Sequence, residues 1–301
     1  MRLLCIDVGG TFLKYAIIES GRIQGDVART PTPRDSLPSF VDAVVAIYQK
    51  MSAVTGFEGI ALSMPGMIET DTGFMRTGGS LDFIHDLPFA QILSDRCDGI
   101  PVNIENDAKA AATAEMESGV LKNYNNGIIL TIGTAIGGTV IVNRKILRGI
   151  NLFAGEVSYM IYEDTVPRQM WGSRGIPKKM VEYYGDETIL SEEVLSRMEK
   201  GDAQAKNAVR MTARELAHLI YNLQCVLDPE IIAIGGDISA QKSFIQMVQE
   251  ENGRLISDIN LKFPPTVIKP CKYLNDANLL GACYAMEAKY KPLQVQKRGL
   301  A

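Results

Sequence analysis

Two short stretches of the sequence place glycine and threonine between apolar runs, in a pattern that could bind phosphate. The turn residues are Gly9, Gly10 and Thr11 in the first stretch and Gly133, Thr134, Gly137 and Gly138 in the second. Glycines let successive backbone N–H groups converge on an anion, and a threonine hydroxyl adds a further donor. Either turn alone would also suit a plain β-hairpin, which needs glycine for backbone reasons.

Two further features fit a nucleotide site. Asp7 lies just before the first turn and could hold a hydrated magnesium ion, which keeps most of its waters and needs few protein carboxylates. Near the C-terminus an apolar strand ends in Gly235 and Gly236, and this pair alone would be an ordinary turn signal after a strand. The motifs G-x-x-x-x-G-K-[ST] and G-x-G-x-x-G are absent from the sequence. Even so, two Gly/Thr turns and this third turn are the parts from which a nucleotide cleft between two domains would be built.

The elements around these residues indicate an α/β chain. Apolar strands at 3–8 and 12–19 continue past Gly21 into a third segment, which predicts an antiparallel meander. A helical pattern covers 39–54, with Ser39 as its N-cap. Strands and helices mix throughout the rest of the chain, and this mixture defines the α/β class.

The domain boundary is predicted in the connection at 118–126, which is rich in glycine and asparagine. We expect residues 1–118 to form an N-terminal α/β domain that is completed by a C-terminal helix at 285–301. Residues 119–284 then form a second α/β domain. The strand–glycine turn–strand pattern occurs once in each part, which suggests two related halves.

The composition disfavours several classes of protein. The 301 residues carry a net charge of −4 without a cluster of lysine and arginine, so we expect no nucleic-acid partner and no membrane partner. No apolar run approaches the ~20 residues that cross a bilayer, and a core-like strand directly after Met1 leaves no room for a signal peptide. The five cysteines are widely spaced, which favours buried thiols in a reducing compartment. A cytoplasmic protein is therefore expected.

Taken in order, these motifs resemble the ROK family (repressors, open reading frames and kinases) of the sugar-kinase, actin and heat-shock ATPase superfamily. DVGGTFLK is similar to the first phosphate motif, D-x-G-G-T-x-x-K, which adds Lys14 to the site. TIGTAIGG is similar to the second, with Ala135 in place of the usual middle glycine, and IIAIGGDIS to the adenosine-side motif. The resemblance implies two ribonuclease-H-like domains of the actin/hexokinase type, with mixed sheets flanked by helices and the active site in the interdomain cleft.

The resemblance also implies a reaction, in which ATP and Mg²⁺ phosphorylate a hydroxyl of a small sugar, usually O6 of a hexose. Asp107, in ENDAKAAATAE, stands at the place of the catalytic base, although an aspartate here could instead cap the following helix. Asn106 would bind sugar hydroxyls or be the cap itself. Glu156 would accept hydrogen bonds from ring hydroxyls, and Gly66 belongs to a turn that lines the sugar site. A homodimer is expected.

Departures from the family pattern concern zinc and the sugar. Zinc-containing members have a histidine where this chain has Tyr159, and a cysteine cluster where Trp171 and Ile176 lie at cysteine-like places. We therefore expect no structural zinc, which would need about four N or S donors. Lys178 replaces a second sugar-binding glutamate, which puts glucose in doubt. Tyr159 and Trp171 would pack either on a larger sugar, such as a β-glucoside or N-acetylmannosamine, or in the core.

The alternative to a kinase is a non-catalytic sugar-binding or regulatory member of the family without a DNA-binding domain. The altered sugar region is the reason to consider it. The intact set of Asp7, Gly10, Lys14 and Asp107 argues against it.

Overall fold

The chain forms two compact units, each built around its own mixed sheet. The structure is a computed structural model, and it describes residues 1–133, 136–160, 176–258, 264, 266–273 and 276–298. Unit 1 consists of Met1–Glu117, Gly149–Phe153 and Asp276–Ala301, and unit 2 consists of Ser118–Arg148 and Ala154–Asn275. The last helix of the chain therefore belongs to unit 1.

The secondary structure alternates between strands and helices. The strands are β1 (Arg2–Val8), β2 (Phe12–Glu19), β3 (Arg22–Pro31), β4 (Ile60–Met64), β5 (Ile68–Glu69), β6 (Phe74–Thr77), β7 (His85–Leu87), β8 (Val102–Asn106), β9 (Gly127–Ile132), β10 (Ile136–Val142), β11 (Lys145–Ile146), β12 (Ile231–Gly235) and β13 (Val267–Pro270). The helices are α1 (Leu37–Ser52), α2 (Phe89–Arg96), α3 (Asp107–Ser118), α4 (Ile176–Tyr184), α5 (Ser191–Glu199), α6 (Ala203–Leu227), α7 (Lys242–Asp258) and α8 (Ala277–Arg298).

The main sheets of the two units have the same topology. Their strand orders are β3-β2-β1-β4-β8 in unit 1 and β11-β10-β9-β12-β13 in unit 2. In both sheets the first three strands form an antiparallel meander, and the last three run parallel. The predicted α/β class and N-terminal meander are therefore confirmed. Ligands of α/β proteins bind at the carboxyl ends of parallel strands, so this topology gives each unit one edge suited to a site.

Helices pack on each sheet through a separate apolar core. In unit 1 the rings of Phe40 on α1 and Phe89 on α2 are fully buried, with centroids 6.0 Å apart. In unit 2 the core is centred on the long helix α6 and includes the fully buried Phe244 of α7. Over the part of the chain that the structure describes, no helix is both long and apolar enough to span a membrane.

The first helix begins earlier than its pattern predicts. Its N-cap is Ser36, whose hydroxyl oxygen accepts the backbone N–H of Ser39 at 3.3 Å, so the prediction of Ser39 as the cap is wrong. Pro38 falls in the first turn, where its missing N–H costs nothing. The Ser39 hydroxyl instead donates to Oδ2 of Asp35 at 2.6 Å.

The cysteines are all free thiols. Cys5, Cys97, Cys271 and Cys283 are buried, as the sequence predicts for thiols that act as small apolar side chains. Cys225 is exposed near the end of α6, so the prediction is wrong for this residue.

The last helix packs closely against α3 within unit 1. A side-chain carbon at Gly281 of α8 would overlap the backbone carbonyl of Ala110 in α3. The two helices can therefore approach this closely only because residue 281 has no side chain. α3 begins at Asp107, and α8 carries Asn278 in its first turn, so this contact positions the starts of both helices.

Gly281→Ala should lower the free energy of unfolding by roughly 1–3 kcal/mol, because the added methyl group forces α8 away from α3. Gly253→Ala on α7 is the matched control, since a Cβ there meets nothing within 4 Å. That variant should be more stable by up to about 1 kcal/mol, because alanine favours helix over glycine. Urea unfolding measures both changes. Equal stability of the two variants would contradict the close approach of α8 to α3.

Candidate functional site

The first glycine turn follows β1 and is held from one side by the segment after β3. The hydroxyl of Thr32 donates to the carbonyl of Gly9 at 2.8 Å, and the N–H of Thr32 donates to the carbonyl of Thr11 at 3.0 Å. Nη1 of Arg34 donates to the carbonyl of Gly10 at 2.9 Å. All three carbonyls of the turn are therefore bound by two neighbouring residues.

This anchoring decides where the amides of the turn point. In a planar trans peptide the N–H is opposite the C=O, so fixing the carbonyls of Gly9 and Gly10 turns the N–H groups of Gly10 and Thr11 the other way. No described residue accepts a hydrogen bond from either N–H, and both residues are exposed. Two adjacent exposed N–H groups for which no described residue is an acceptor would suit an anion.

The glycine at position 10 is not required by the backbone of the turn. A Cβ there would lie 3.6 Å from Nη1 of Arg34, an ordinary contact, and the residue has no positive φ. At Gly9 a Cβ would lie 3.0 Å from the carbonyl oxygen of Phe12, so that position is tighter. Packing therefore explains Gly9 in part, whereas neither packing nor backbone conformation requires a glycine at position 10.

Asp7 lies at the end of β1 with only 6% of its surface exposed. Its Oδ1 accepts a hydrogen bond from Nδ2 of Asn278 on α8 at 2.9 Å, and Lys14 is directly opposite it in the β1–β2 ladder. Burial raises the pKa of Asp7, although the amide of Asn278 and the charge of Lys14 act in the opposite direction. A largely dehydrated carboxylate with one oxygen engaged by an amide fits a hydrated Mg²⁺, which needs few protein ligands.

Asn106 ends β8 and connects the first turn of α3 to the loop after β4. Its Oδ1 accepts the N–H of Lys109 at 3.2 Å, and its Nδ2 donates to the carbonyl of Gly66 at 3.0 Å. The first of these bonds is an N-cap, so Asn106 rather than Asp107 caps α3. Asp107 is the first residue of the helix and is half-buried.

The turn at Gly66 depends on glycine. Its φ is +113°, and a Cβ there would overlap the carbonyl of Thr77. Gly79 packs on the same turn, since its Cβ would lie 3.0 Å from the side chain of Pro65. The loops after β4 and β6 are therefore in direct contact, and Nη2 of Arg34 donates to the carbonyl of Ser80 in the second loop at 2.9 Å.

A buried acid that sequence reasoning missed supports this region. Glu105 is 1% exposed, and its Oε1 accepts the N–H of Asn106 at 2.9 Å and the hydroxyl of Thr70 at 3.4 Å. Nζ of Lys289 donates to the carbonyl of Thr70 at 3.0 Å and to Oδ1 of Asn103 at 3.4 Å, and burial lowers its pKa. These bonds fix the loop after β5 and the end of β8 in place. Asn278, Thr32 and Arg34 were missed as well.

In unit 2 the second Gly/Thr stretch falls between β9 and β10, and its Thr134 and Ala135 lie outside the described residues. Gly133 directly follows β9. Gly137 and Gly138 lie within β10, opposite Thr131 and Leu130 of β9. A Cβ at Gly138 would overlap the carbonyl of Gly155, so this glycine allows a neighbouring segment to cross the strand closely.

The third glycine pair lies at the same edge of the unit 2 sheet. Gly235 ends β12 opposite Thr131 of the parallel strand β9. Gly236 has a φ of +88°, and a Cβ there would overlap the carbonyl of Ile132, so only glycine fits. Ser239 closes the turn, because both its N–H and its hydroxyl donate to the carbonyl of Gly236, at 3.0 and 2.7 Å.

The residues predicted to contact the sugar from unit 2 lie around a short 3-10 turn, Val157–Tyr159. Glu156 precedes the turn and is half-buried. Tyr159 is 47% exposed, so the core alternative for this residue is wrong. Ile176 is fully buried in the core. Nζ of Lys178 on α4 lies 4.0 Å from Oε1 of Glu182. Trp171 lies outside the described residues.

No group of three or more His, Cys, Asp or Glu side chains that could hold a metal occurs within the described residues. Residues 161–175, which include most of the segment at the place of the zinc motif, are outside that set. The absence of structural zinc therefore stays a prediction.

Comparisons with known proteins find similarity along nearly the whole chain. The model of the ROK family matches residues 3–289. A beta-glucoside kinase of Klebsiella pneumoniae is 27% identical over 304 residues, with 97% of this chain and 98% of the relative covered. An N-acetylmannosamine kinase of Haemophilus influenzae is 25% identical over 300 residues, with 94% and 95% covered. The crystal structure of a ROK family protein from Streptococcus pneumoniae in complex with sucrose has a TM-score of 0.83 at 27% identity, with 97% and 100% covered.

Asp7→Asn is expected to raise the free energy of unfolding of the ligand-free protein at neutral pH. Because burial raises the pKa of Asp7 above 3.8, the folded state loses stability as the pH rises through that raised pKa. Asparagine avoids this loss and can still accept the bond from Asn278. The gain in the free energy of unfolding should shrink as the pH falls to the pKa that Asp7 has in the unfolded state. Urea unfolding between about pH 4 and 8 measures the difference.

Asp35→Asn is the matched control, and it should change the free energy of unfolding in the opposite direction. The Asp35 carboxylate is exposed, and the hydrogen bond from the Ser39 hydroxyl lowers its pKa. The resulting stability is present above the unfolded-state pKa and is lost as the pH falls, so this variant should be less stable than wild type at neutral pH. An Asp7→Asn protein that is also less stable at neutral pH would contradict the cost assigned to burying Asp7.

Proposed function

The chain belongs to the ROK family, and we propose that it is an ATP-dependent sugar kinase. It transfers the γ-phosphate of ATP to a hydroxyl, O6 in our proposal, of a hexose, an N-acetylhexosamine or a β-glucoside. Two relatives named as kinases, of beta-glucosides and of N-acetylmannosamine, support this class of reaction. The observation that supports the proposal is in unit 1, where the first glycine turn and Asp107 follow parallel strands of one sheet.

The phosphate end of the proposed site combines backbone N–H groups with a side-chain cation. The N–H groups of Gly10 and Thr11 would bind phosphate oxygens, and Lys14 would add a positive charge from the neighbouring strand. Phosphoryl transfer is mostly positioning and charge neutralisation, which these groups can supply. Asp7 would hold Mg²⁺, and the ion neutralises charge on the phosphate oxygens when it is bound.

From unit 2 we propose further contacts to the nucleotide. The second turn would bind phosphate, and the third would contact the adenosine side. The residues concerned are Gly133, Thr134, Gly137, Gly138, Gly235 and Gly236.

At the sugar end, the acceptor oxygen attacks the γ-phosphorus, and the bond from that phosphorus to the β,γ-bridging oxygen breaks, so ADP leaves. In our proposal Asp107 takes the proton of the acceptor hydroxyl. Asn106 caps α3, and Oδ1 of Asp107 accepts the backbone N–H of Ala108 at 2.7 Å, a bond that the side-chain oxygen of an asparagine could also accept. Asn106 and Gly66 would line the sugar beside it.

For the sugar itself we propose a β-glucoside or an N-acetylhexosamine rather than glucose. Glu156 would accept hydrogen bonds from ring hydroxyls, and the exposed ring of Tyr159 offers an apolar face for a sugar to pack on. Lys178 cannot replace the acceptor of a glutamate, because an ammonium group only donates. We also propose a cytoplasmic homodimer without a zinc site and without a nucleic-acid partner.

Asp107→Asn should lower kcat by roughly 10²–10⁴-fold, because asparagine cannot take the proton. A coupled ATP-to-ADP assay with glucose, mannose, N-acetylmannosamine, N-acetylglucosamine, fructose and cellobiose measures this and identifies the sugar. ATP affinity and melting temperature should barely change. Asn106→Ala is the structural control and should cost about 0.5–2 kcal/mol of stability through loss of the cap. Turnover of Asp107→Asn within a few-fold of wild type would remove Asp107 from the mechanism. Wild-type protein that binds a sugar without turnover would favour the non-catalytic alternative.

Gly10→Ala should keep the stability of wild type and lose affinity for Mg·ATP, because its Cβ fits the ligand-free turn but occupies space beside the two amides. Gly56→Ala is the control, since a Cβ there meets nothing within 4 Å. Isothermal titration with Mg·ATP, together with melting curves, separates affinity from stability. Unchanged affinity in folded Gly10→Ala would mean that the turn is only a hairpin.

A further inference from the structure

The first glycine turn (Gly9–Thr11, the phosphate turn of the proposed function) and the loop after β6 are joined by one side chain that no motif of the sequence singled out. Arg34 lies in the exposed segment after β3. Its Nη1 donates to the carbonyl of Gly10 and its Nη2 to the carbonyl of Ser80, both at 2.9 Å. The two acceptors belong to different loops, which follow β1 and β6.

The loop of Ser80 leads in turn to the proposed base. Gly79, its neighbour, packs on Pro65 and Gly66 so closely that a Cβ at 79 would lie 3.0 Å from the side chain of Pro65. The carbonyl of Gly66 is bound by Asn106 at 3.0 Å. Asn106 caps the helix that begins at Asp107. A continuous series of contacts therefore runs from the guanidinium group to the start of α3.

We infer that Arg34 is a positioning residue that fixes the phosphate turn relative to the acceptor side of the site. This inference rests on the proposed kinase reaction. The planar guanidinium has two N–H groups that can bind two carbonyls at once in a fixed geometry, and lysine has no equivalent. By holding the carbonyl of Gly10, Arg34 also limits rotation of the peptide that carries the N–H of Thr11.

The expected effect is on turnover rather than on ATP binding. Thr32 still holds the carbonyls of Gly9 and Thr11 when Arg34 is absent, so the turn keeps most of its shape and its affinity for ATP. Without the tie to Ser80 the donor and the acceptor are less well aligned. A misplacement of about 1 Å between reacting groups can cost roughly 10²-fold in rate.

The test compares Arg34→Ala, Arg34→Lys and Arg29→Ala in the sugar-kinase assay. Arg29 is the matched control, because it is an exposed arginine of β3 whose guanidinium stacks on Phe12, 4.9 Å from the ring centroid. We expect kcat to fall by about 10²-fold in Arg34→Ala, with a much smaller change in the dissociation constant of Mg·ATP. Arg34→Lys should remain impaired, whereas Arg29→Ala should have normal turnover. Full rescue by lysine would show that charge alone matters and would overturn the inference.

Added guanidinium ion gives a sharper readout. Because Arg34 is exposed, the ion can reach the vacated position and bridge the two carbonyls, so it should restore part of the kcat of Arg34→Ala. Methylammonium has the same charge without the planar pair of donors, and it should not restore kcat. Equal rescue by both ions, or a folded Arg34→Ala with wild-type kcat, would refute the positioning role.

Amide hydrogen exchange separates failure of this inference from failure of the kinase proposal. Arg34→Ala should speed exchange in the segments 9–12 and 78–84, and Arg29→Ala should not. Unchanged exchange in Arg34→Ala would overturn the inference even in an active enzyme. Wild-type protein without kinase activity would refute the proposed function, and faster exchange at both segments would still support the tie between the loops.

Discussion

The side chain of Asn106 makes the two hydrogen bonds on which the site of unit 1 depends. β4 and β8 are neighbouring parallel strands, and Met64 lies opposite Asn106. The chain therefore leaves both strands at the same edge of the sheet. The primary amide joins these exits, because its oxygen caps α3 and its nitrogen binds the carbonyl of Gly66. Aspartate could cap the helix but could not donate to that carbonyl. This explains why residue 106 is an amide rather than a carboxylate.

The site also contains carboxylates that a protein of maximal stability would avoid. Asp7 and Glu105 are almost fully buried, and burying a charge is costly unless hydrogen bonds compensate it. The structure supplies such bonds from Asn278 to Asp7 and from the N–H of Asn106 to Glu105. For Asp7 the compensation is incomplete, since burial still raises its pKa. A cation beside this carboxylate would offset the remaining cost.

Sequence reasoning predicted the fold class and the residues that form local patterns. The apolar runs and glycine turns identified the meander, and the order of the motifs indicated the family. It failed where a role depends on distant contacts. Asn278 is far from Asp7 along the chain, and Arg34 is an exposed arginine in a loop, so neither has a periodic or compositional signal. Ser36 and Ser39 are both adequate caps by type, and only the position of Pro38 favours the first. The residue type alone does not say whether Tyr159 is a core aromatic or a surface one, and only the structure shows that it is exposed.

The assignment of α8 to unit 1 has a consequence for synthesis on the ribosome. The sheet of unit 1 consists of residues within 2–106, yet its completed form requires Asn278 against Asp7, Glu287 against the amino group of Met1, and Lys289 against Thr70. These partners emerge last. Apart from Gly149–Phe153, unit 2 is contiguous, from Ser118 to Asn275, so all of it emerges before these partners do. Domains usually fold in N-terminal-first order during synthesis, whereas unit 1 of this chain cannot be completed until the residues that follow unit 2 have emerged.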